Sequence, residues 1–228
     1  MADPWLNLTP SHDSPYYPFR KVAEIDTMAG CEDIPYIITR YLMDLPDATG
    51  YTPPDDNRFP RVRLKKLLYW DGPRPLSQPL PTTEQILGIL YNPELPDKPP
   101  DADRGYRVFP QNMVQQSMAQ SKSLLRVYLS DSQALTSTGN ALTRQDVLFD
   151  IIVNAGIEGN MGTTNASRAS AILQAVKEAV NGVSFGGEGA LFVRRVTKID
   201  DERTNLGYKM YAYIDWNGSA PNPAYSNT

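Results

Sequence analysis

The sequence predicts an α+β fold: a mixed or antiparallel sheet packed by one long amphipathic helix plus a second, N-terminal helix, with proline-rich loops wrapped around them. Three observations carry that expectation. Ala169, Ile172, Leu173, Val176 and Val180 recur on one stripe of a 3.6-residue period, between Asn165 and Asn181. The runs on either side of this helix have strand character, and the later ones alternate at period two. Eighteen of the 20 prolines fall at or before Pro110 and the other two are Pro221 and Pro223, so regular elements concentrate in the back half.

Residues 1–32 read as an extended arm. Pro4, Pro10, Pro15 and Pro18 interrupt any regular element, while Trp5, Tyr16, Tyr17 and Phe19 are large apolar groups that water disfavours. Such a segment lies either on its own domain or on a neighbouring subunit, and Trp5, Tyr16, Tyr17 and Phe19 are the candidate subunit-interface residues. The domain, 33–216, opens with a helix on which Ile34, Ile37, Ile38, Tyr41, Leu42 and Leu45 share a face, with Asp33 as its cap and Pro46 as its stop. Residues 61–70 read as a strand placing Arg61, Arg63 and Lys65 on one face and Val62 and Leu64 on the other. That basic patch is either a solvated strand face or a contact with DNA phosphates; stacking aromatics, which single-strand binders interleave with charge, are missing from it. Residues 71–122 form a proline-rich insertion holding a short helix, capped by Thr82 with Gln85 three residues on, whose apolar side is Ile86, Leu87 and Leu90. Residues 113–122 read as a helical link into a strand at 124–129.

The back half continues with a strand at 147–153, the long helix capped by Thr164 or Asn165, and Gly182 as the left-handed residue at its end. Two alternating strands follow. Leu191, Val193 and Arg195 face one way against Phe192, Arg194 and Val196; Tyr208, Met210, Ala212 and Ile214 oppose Lys209, Tyr211, Tyr213 and Asp215. Asp200 to Glu202 is the hairpin tip between them, and 217–228 is a small, polar tail.

Composition bounds the chemistry. With 41% hydrophobic and 21% charged residues the chain is ordinary for a globular protein, and its net charge of −4 argues against wrapping nucleic acid by bulk positive charge. No apolar run approaches the ~20 residues that span a bilayer, and no charged-then-apolar leader opens the sequence, which predicts a cytoplasm-like compartment and no membrane partner. Cys31 is the one cysteine, so an internal disulfide and a cysteine zinc cluster are excluded. His12 is the one histidine and sits in the proline-broken arm, far from the rigid support that imidazole catalysis or metal ligation needs. Asp101 and Asp103 begin like a calcium loop, but Tyr106 and Asn112 stand where that loop needs glycine and glutamate. The glycines of 185–189 follow a helix and precede a strand, the reverse of a phosphate loop, and read as a tight turn. The expectation is no catalytic, metal-binding or cofactor-binding residue.

The order of elements resembles the tail-terminator and tail-completion proteins of tailed bacteriophages, small α+β proteins of the head–tail neck. The carriers are Arg144 to Val153, the helix Ser167 to Asn181, Gly182 to Gly189, and the strand pair ending in Gly207 to Trp216, joined by the helix near Ile34 and the segment near Arg61. The proline-rich stretch 71–122 departs from the compact members of that family. The resemblance implies a structural virion protein, made in the host cytoplasm, that assembles as a homo-oligomeric ring, a hexamer. It further implies as partners the tail tube protein and the head-completion or connector proteins, with double-stranded DNA passing through the lumen. The alternative is a cytoplasmic carboxylate- or metal-dependent hydrolase or nucleotide-binding domain.

Overall fold

A computed structural model describes residues 34–43, 55–91, 105–111, 122–134, 142–159, 161, 167–185, 190–201 and 205–217. Within them the chain runs α1 (Ile34–Met43), α2 (Pro60–Tyr69), a 3-10 turn (Pro75–Ser77), α3 (Thr83–Ile89), β1 (Val108–Phe109), β2 (Ser123–Ala134), β3 (Leu142–Asn154), α4 (Ala155–Glu158), α5 (Arg168–Val180), β4 (Val183–Ser184), β5 (Ala190–Asp201) and β6 (Asn205–Asn217). The sheet has six strands in the order β1-β2-β3-β6-β5-β4. Only the β1–β2 pairing is parallel; the others are antiparallel. The fold is α+β with a mixed sheet, as the periodicities require. The arm with Trp5, Tyr16, Tyr17 and Phe19, together with His12, Cys31, Asp33, Pro46, residues 113–121 and the tail after Asn217, lies outside the described residues.

One core forms between the helices and a single face of the sheet. β3 contributes Val147, Phe149, Ile151 and Val153, β2 Leu125 and Val127, β6 Met210, Ala212 and Ile214, and β5 Leu191. Against them pack Ile34, Ile38 and Leu42 of α1, Leu64, Leu67 and Leu68 of α2, Ile86 and Ile89 of α3, and Ile172, Val176 and Val180 of α5. Gly207 is required by the sheet itself: a Cβ there would stand 2.0 Å from the Ile151 carbonyl oxygen of β3. Gly182, at φ 81°, makes the left-handed turn that closes α5, as its position after the apolar stripe predicts.

Four local expectations need correction. Residues 60–69 are a helix, not a strand. The alternation of Arg61, Val62, Arg63 and Leu64 is overridden by Leu64, Leu67 and Leu68 at i, i+3 and i+4 and by Pro60 at the start, where its missing N–H costs nothing. α5 begins at Arg168 under Ser167, whose hydroxyl accepts from Ser170 N at 3.1 Å, so neither Thr164 nor Asn165 is the cap. In α3 the capping box of Thr82 and Gln85 is present, but Leu87 is 42% exposed and Ile89 takes the core position instead. In β5 a bulge at Arg194 shifts the register, so Val193 pairs with Ala212 while Arg195 pairs with Tyr211. Arg195 therefore joins the face of Phe192, not that of Val193.

A buried polar clasp fixes the end of α2. Arg168 is fully buried and donates from Nη1 to the carbonyls of Leu67 (3.2 Å) and Trp70 (2.6 Å), and from Nη2 to those of Asp71 (3.3 Å) and Gly72 (3.0 Å). The Leu67 carbonyl is one of the orphan acceptors that a helix C-terminus leaves, and those of Trp70, Asp71 and Gly72 belong to the turn that follows. Arg107 completes the clasp with a fork onto the Asp71 carboxylate (2.7 and 2.6 Å) and a bond to the Leu68 carbonyl (2.8 Å). Burial, with the Arg107 charge adding to it, pulls the Arg168 pKa below the ordinary guanidinium value, against the favourable fields of Asp71 and Glu158.

Candidate functional site

The second face of the sheet is covered by no helix among the described residues, and it holds the chemistry the core cannot. Strand pairing arranges its side chains in cross-strand rows. Tyr128 of β2, Leu148 of β3, Tyr211 of β6 and Arg195 of β5 form one row; Arg126, Asp150, Lys209 and Thr197 form the next. Beyond Tyr211 lies a third row of Asp146, Tyr213 and Phe192. At the opposite corner Leu124 and Ile152 are shielded by Tyr106 and Phe109, with Tyr91 packed against them.

At the centre, Asp150 is 1% exposed and, like its face neighbours Leu148 and Ile152, buried although no helix among the described residues covers them. Arg126 Nη2 donates to its Oδ2 at 2.8 Å and the Tyr128 hydroxyl to the same oxygen at 3.1 Å. Lys209 Nζ stands 3.4 Å from Asp150 Oδ1 without the geometry of a hydrogen bond, so that contact is Coulombic. The same ammonium donates to the Tyr128 hydroxyl at 3.1 Å. Burial, above all, pushes the Tyr128 pKa up. Burial opposes the charge of Lys209, yet the Tyr128 hydroxyl and the Asp150 carboxylate together hold its pKa above the ordinary lysine value.

Toward β5 the face becomes aromatic and cationic. The Arg195 guanidinium carbon lies 4.3 Å from the centre of the Tyr211 ring, and that of Arg144 4.0 Å from the Tyr213 ring. Arg144 also forks onto Asp215 at 2.7 and 2.9 Å, which raises its pKa. Phe192 stacks obliquely on Tyr213 with 5.8 Å between ring centres and is 45% exposed. Rigid aromatics interleaved with arginine are the composition that protein interfaces favour, because they offer large contact area at low entropic cost.

The three residues of the expected basic patch do not form one. On α2 Arg63 is turned away from Arg61 and Lys65, which stand one turn apart. Lys65 is 3% exposed, Arg63 is ion-paired with Glu178 of α5, and Arg61 lies 4.5 Å over the Tyr41 ring. Tyr211 and Tyr213 are legible as alternate strand positions, whereas Arg195 is expected on the opposite face and Arg144 falls outside the strand read at 147–153; only the pairing register brings them together with Tyr128. Among the described residues no group of three or more His, Cys, Asp or Glu side chains is placed to hold a metal ion. No helix of the described chain is long and apolar enough to cross a membrane.

The family model of YomW matches residues 62–214, which takes in nearly all of α2 and the whole sheet to within three residues of its end. The chain belongs to the YomW family. YomW is a phage-associated family, so this is a phage-type protein. No curated protein matches the chain. The matched span contains the Arg168 clasp and every row of the open sheet face.

Proposed function

We propose that this YomW-family chain is a structural virion protein of the phage head–tail neck, working by assembly into a homo-oligomeric ring that terminates the tail tube and joins it to the head-completion proteins. The observation that carries the reading is the open sheet face, with Phe192, Tyr211 and Tyr213 interleaved with Arg144 and Arg195, on a chain of a phage-associated family. A face of that composition supports contact with a protein surface better than reaction chemistry. The order of helices and strands adds the resemblance to tail-completion proteins. The aromatic arm with Trp5, Tyr16, Tyr17 and Phe19 adds a second adhesive element, for which a neighbouring subunit is the proposed receiver.

The test is the assembled particle. Image averaging of the neck should show a closed ring of copies of this chain, sixfold, between tail tube and head. A single isolated copy, or none, overturns the proposal. Deleting residues 1–20 should abolish assembly while leaving the melting temperature of the isolated protein unchanged. A markedly lower melting temperature with assembly retained would assign the arm to its own domain instead.

A further inference from the structure

Three cations are buried where the end of α2 meets the sheet. Arg107 directly precedes β1, Lys122 directly precedes β2 and Arg168 opens α5, and none of them is more than 6% exposed. Burial lowers the pKa of both Lys122 and Arg168. Beyond that cost, each feels the charge of Arg107 and the opposing charge of Asp71, so the four groups share one neighbourhood.

Negative charge there falls short of positive. Asp71 is the carboxylate whose field reaches Lys122, and Glu158 adds a second at Arg168. Both are already engaged: Arg107 forks onto Asp71 at 2.7 and 2.6 Å, and Glu158 accepts from the Ala169 N–H at 3.1 Å. Hydrogen-bond donors are in surplus as well. The Lys122 ammonium makes no hydrogen bond or ion pair with any described residue. Arg107 Nε, Arg168 Nε and Ser123 Oγ are buried and without a hydrogen-bond partner among the described residues. Buried polar groups are ordinarily satisfied, and a buried ammonium without a counter-charge is among the most costly of them. Water accepts from such donors but carries no charge. A group that accepts several hydrogen bonds and also supplies negative charge is an oxyanion.

We propose that this cluster is an oxyanion-binding site for a phosphate or a carboxylate, with the Lys122 ammonium as its principal charge and Arg107 Nε and Ser123 Oγ as further donors. The turn after α2 gives the cluster an outlet to solvent, because Gly72 is exposed and the Asp71 side chain is 29% exposed. A bound anion joins the residues that open β1, β2 and α5 to the end of α2, and so fastens one end of the sheet to the helices. The site uses no residue of the open sheet face and stands or falls separately from the neck reading.

The test is calorimetric titration of the full chain at pH 7 with sodium phosphate and, separately, sodium acetate, with chloride holding the ionic strength constant. At least one of the two should bind saturably, at one site per chain. Phosphate without acetate assigns the site to a phosphate, and acetate without phosphate to a carboxylate. Lys122→Met should weaken the binding at least about tenfold, the worth of one hydrogen bond from a charged donor. Ser123→Ala, which deletes a single hydroxyl, is the milder probe and should weaken it roughly two- to tenfold. Circular dichroism reports that each variant is folded. Arg194→Ala, at an exposed position on β5, should leave the binding unchanged. Failure of both anions to saturate overturns the proposal. So does saturable binding that Lys122→Met and Ser123→Ala leave untouched, or that Arg194→Ala weakens equally, since the anion would then be held elsewhere.

Discussion

Replacing Arg168 by methionine isolates what the clasp contributes to the fold. The variant keeps most of the apolar stem and removes the guanidinium that donates to four carbonyl oxygens. Those acceptors are not equally vulnerable. Gly72 is exposed and Asp71 half-buried, so water replaces the lost donor there at little cost. Leu67 is 1% exposed, and its carbonyl bond also comes from a fully buried group. A buried acceptor left unsatisfied costs about 1–3 kcal/mol, and a bond from a charged donor is worth about 1.5–3 kcal/mol. Against that, the variant no longer buries a cation, the same burial that lowers the Arg168 pKa. The balance is a loss of about 2–4 kcal/mol, a large share of the roughly 5–15 kcal/mol that holds a domain folded. Urea unfolding should show a lower midpoint at unchanged slope. A loss below about 1 kcal/mol, ordinary for any substitution, would refute the claim that Arg168 secures the end of α2.

Gly207→Ala should destabilise by at least about 1–3 kcal/mol, because the new methyl meets the Ile151 backbone oxygen and the β3–β6 ladder must part; the unfolding midpoint checks it. Thr82→Ala removes one half of the capping box on α3 and should cost about 0.5–2 kcal/mol in the same assay. Lys122, 6% exposed, has its pKa lowered to about 8, first by burial and then by the Arg107 charge, against the pull of Asp71. The unfolded chain then binds a proton that the folded chain lacks between about pH 8 and the ordinary lysine value near 10.4, so this group makes stability rise with pH across that window. Below the window both states are charged and the full penalty stands. Lys122→Met should flatten that part of the stability–pH curve, and an unchanged slope would sink the assignment.

What could be read in advance followed period and punctuation. The stripe of α5, the alternation of β6 and the box at Thr82 are each set by neighbours within a few residues, and each is found. α2 was misread because its first residues alternate, and its true environment, clamped between α1, α5 and the sheet, is a long-range fact. Arg195 changed faces because a bulge leaves no mark in composition. Arg168 gave no signal, since a charged residue beside an apolar stripe ordinarily faces water. Asp150 was visible as the one charge inside the run Val147 to Val153. Its role still needed Arg126, Tyr128 and Lys209 from two other strands. The candidate face is thus a product of register, and its members are scattered from residue 126 to 215.

Strand order also bears on how the protein comes off the ribosome. β6, the last described strand to be synthesised, occupies the middle of the sheet between β3 and β5. Until residues 205–217 emerge, β3 and β5 share no neighbour, and Val147, Phe149 and Ile151 have no Met210 or Ala212 beside them. At about 5–20 residues per second, the nascent chain spends seconds with those apolar strands made but unable to join. Native closure of the sheet therefore waits for residues 205–217. A nonsense or frameshift lesion before Asn205 would release a product without a completed sheet, with apolar strand surfaces that chaperones and proteases recognise.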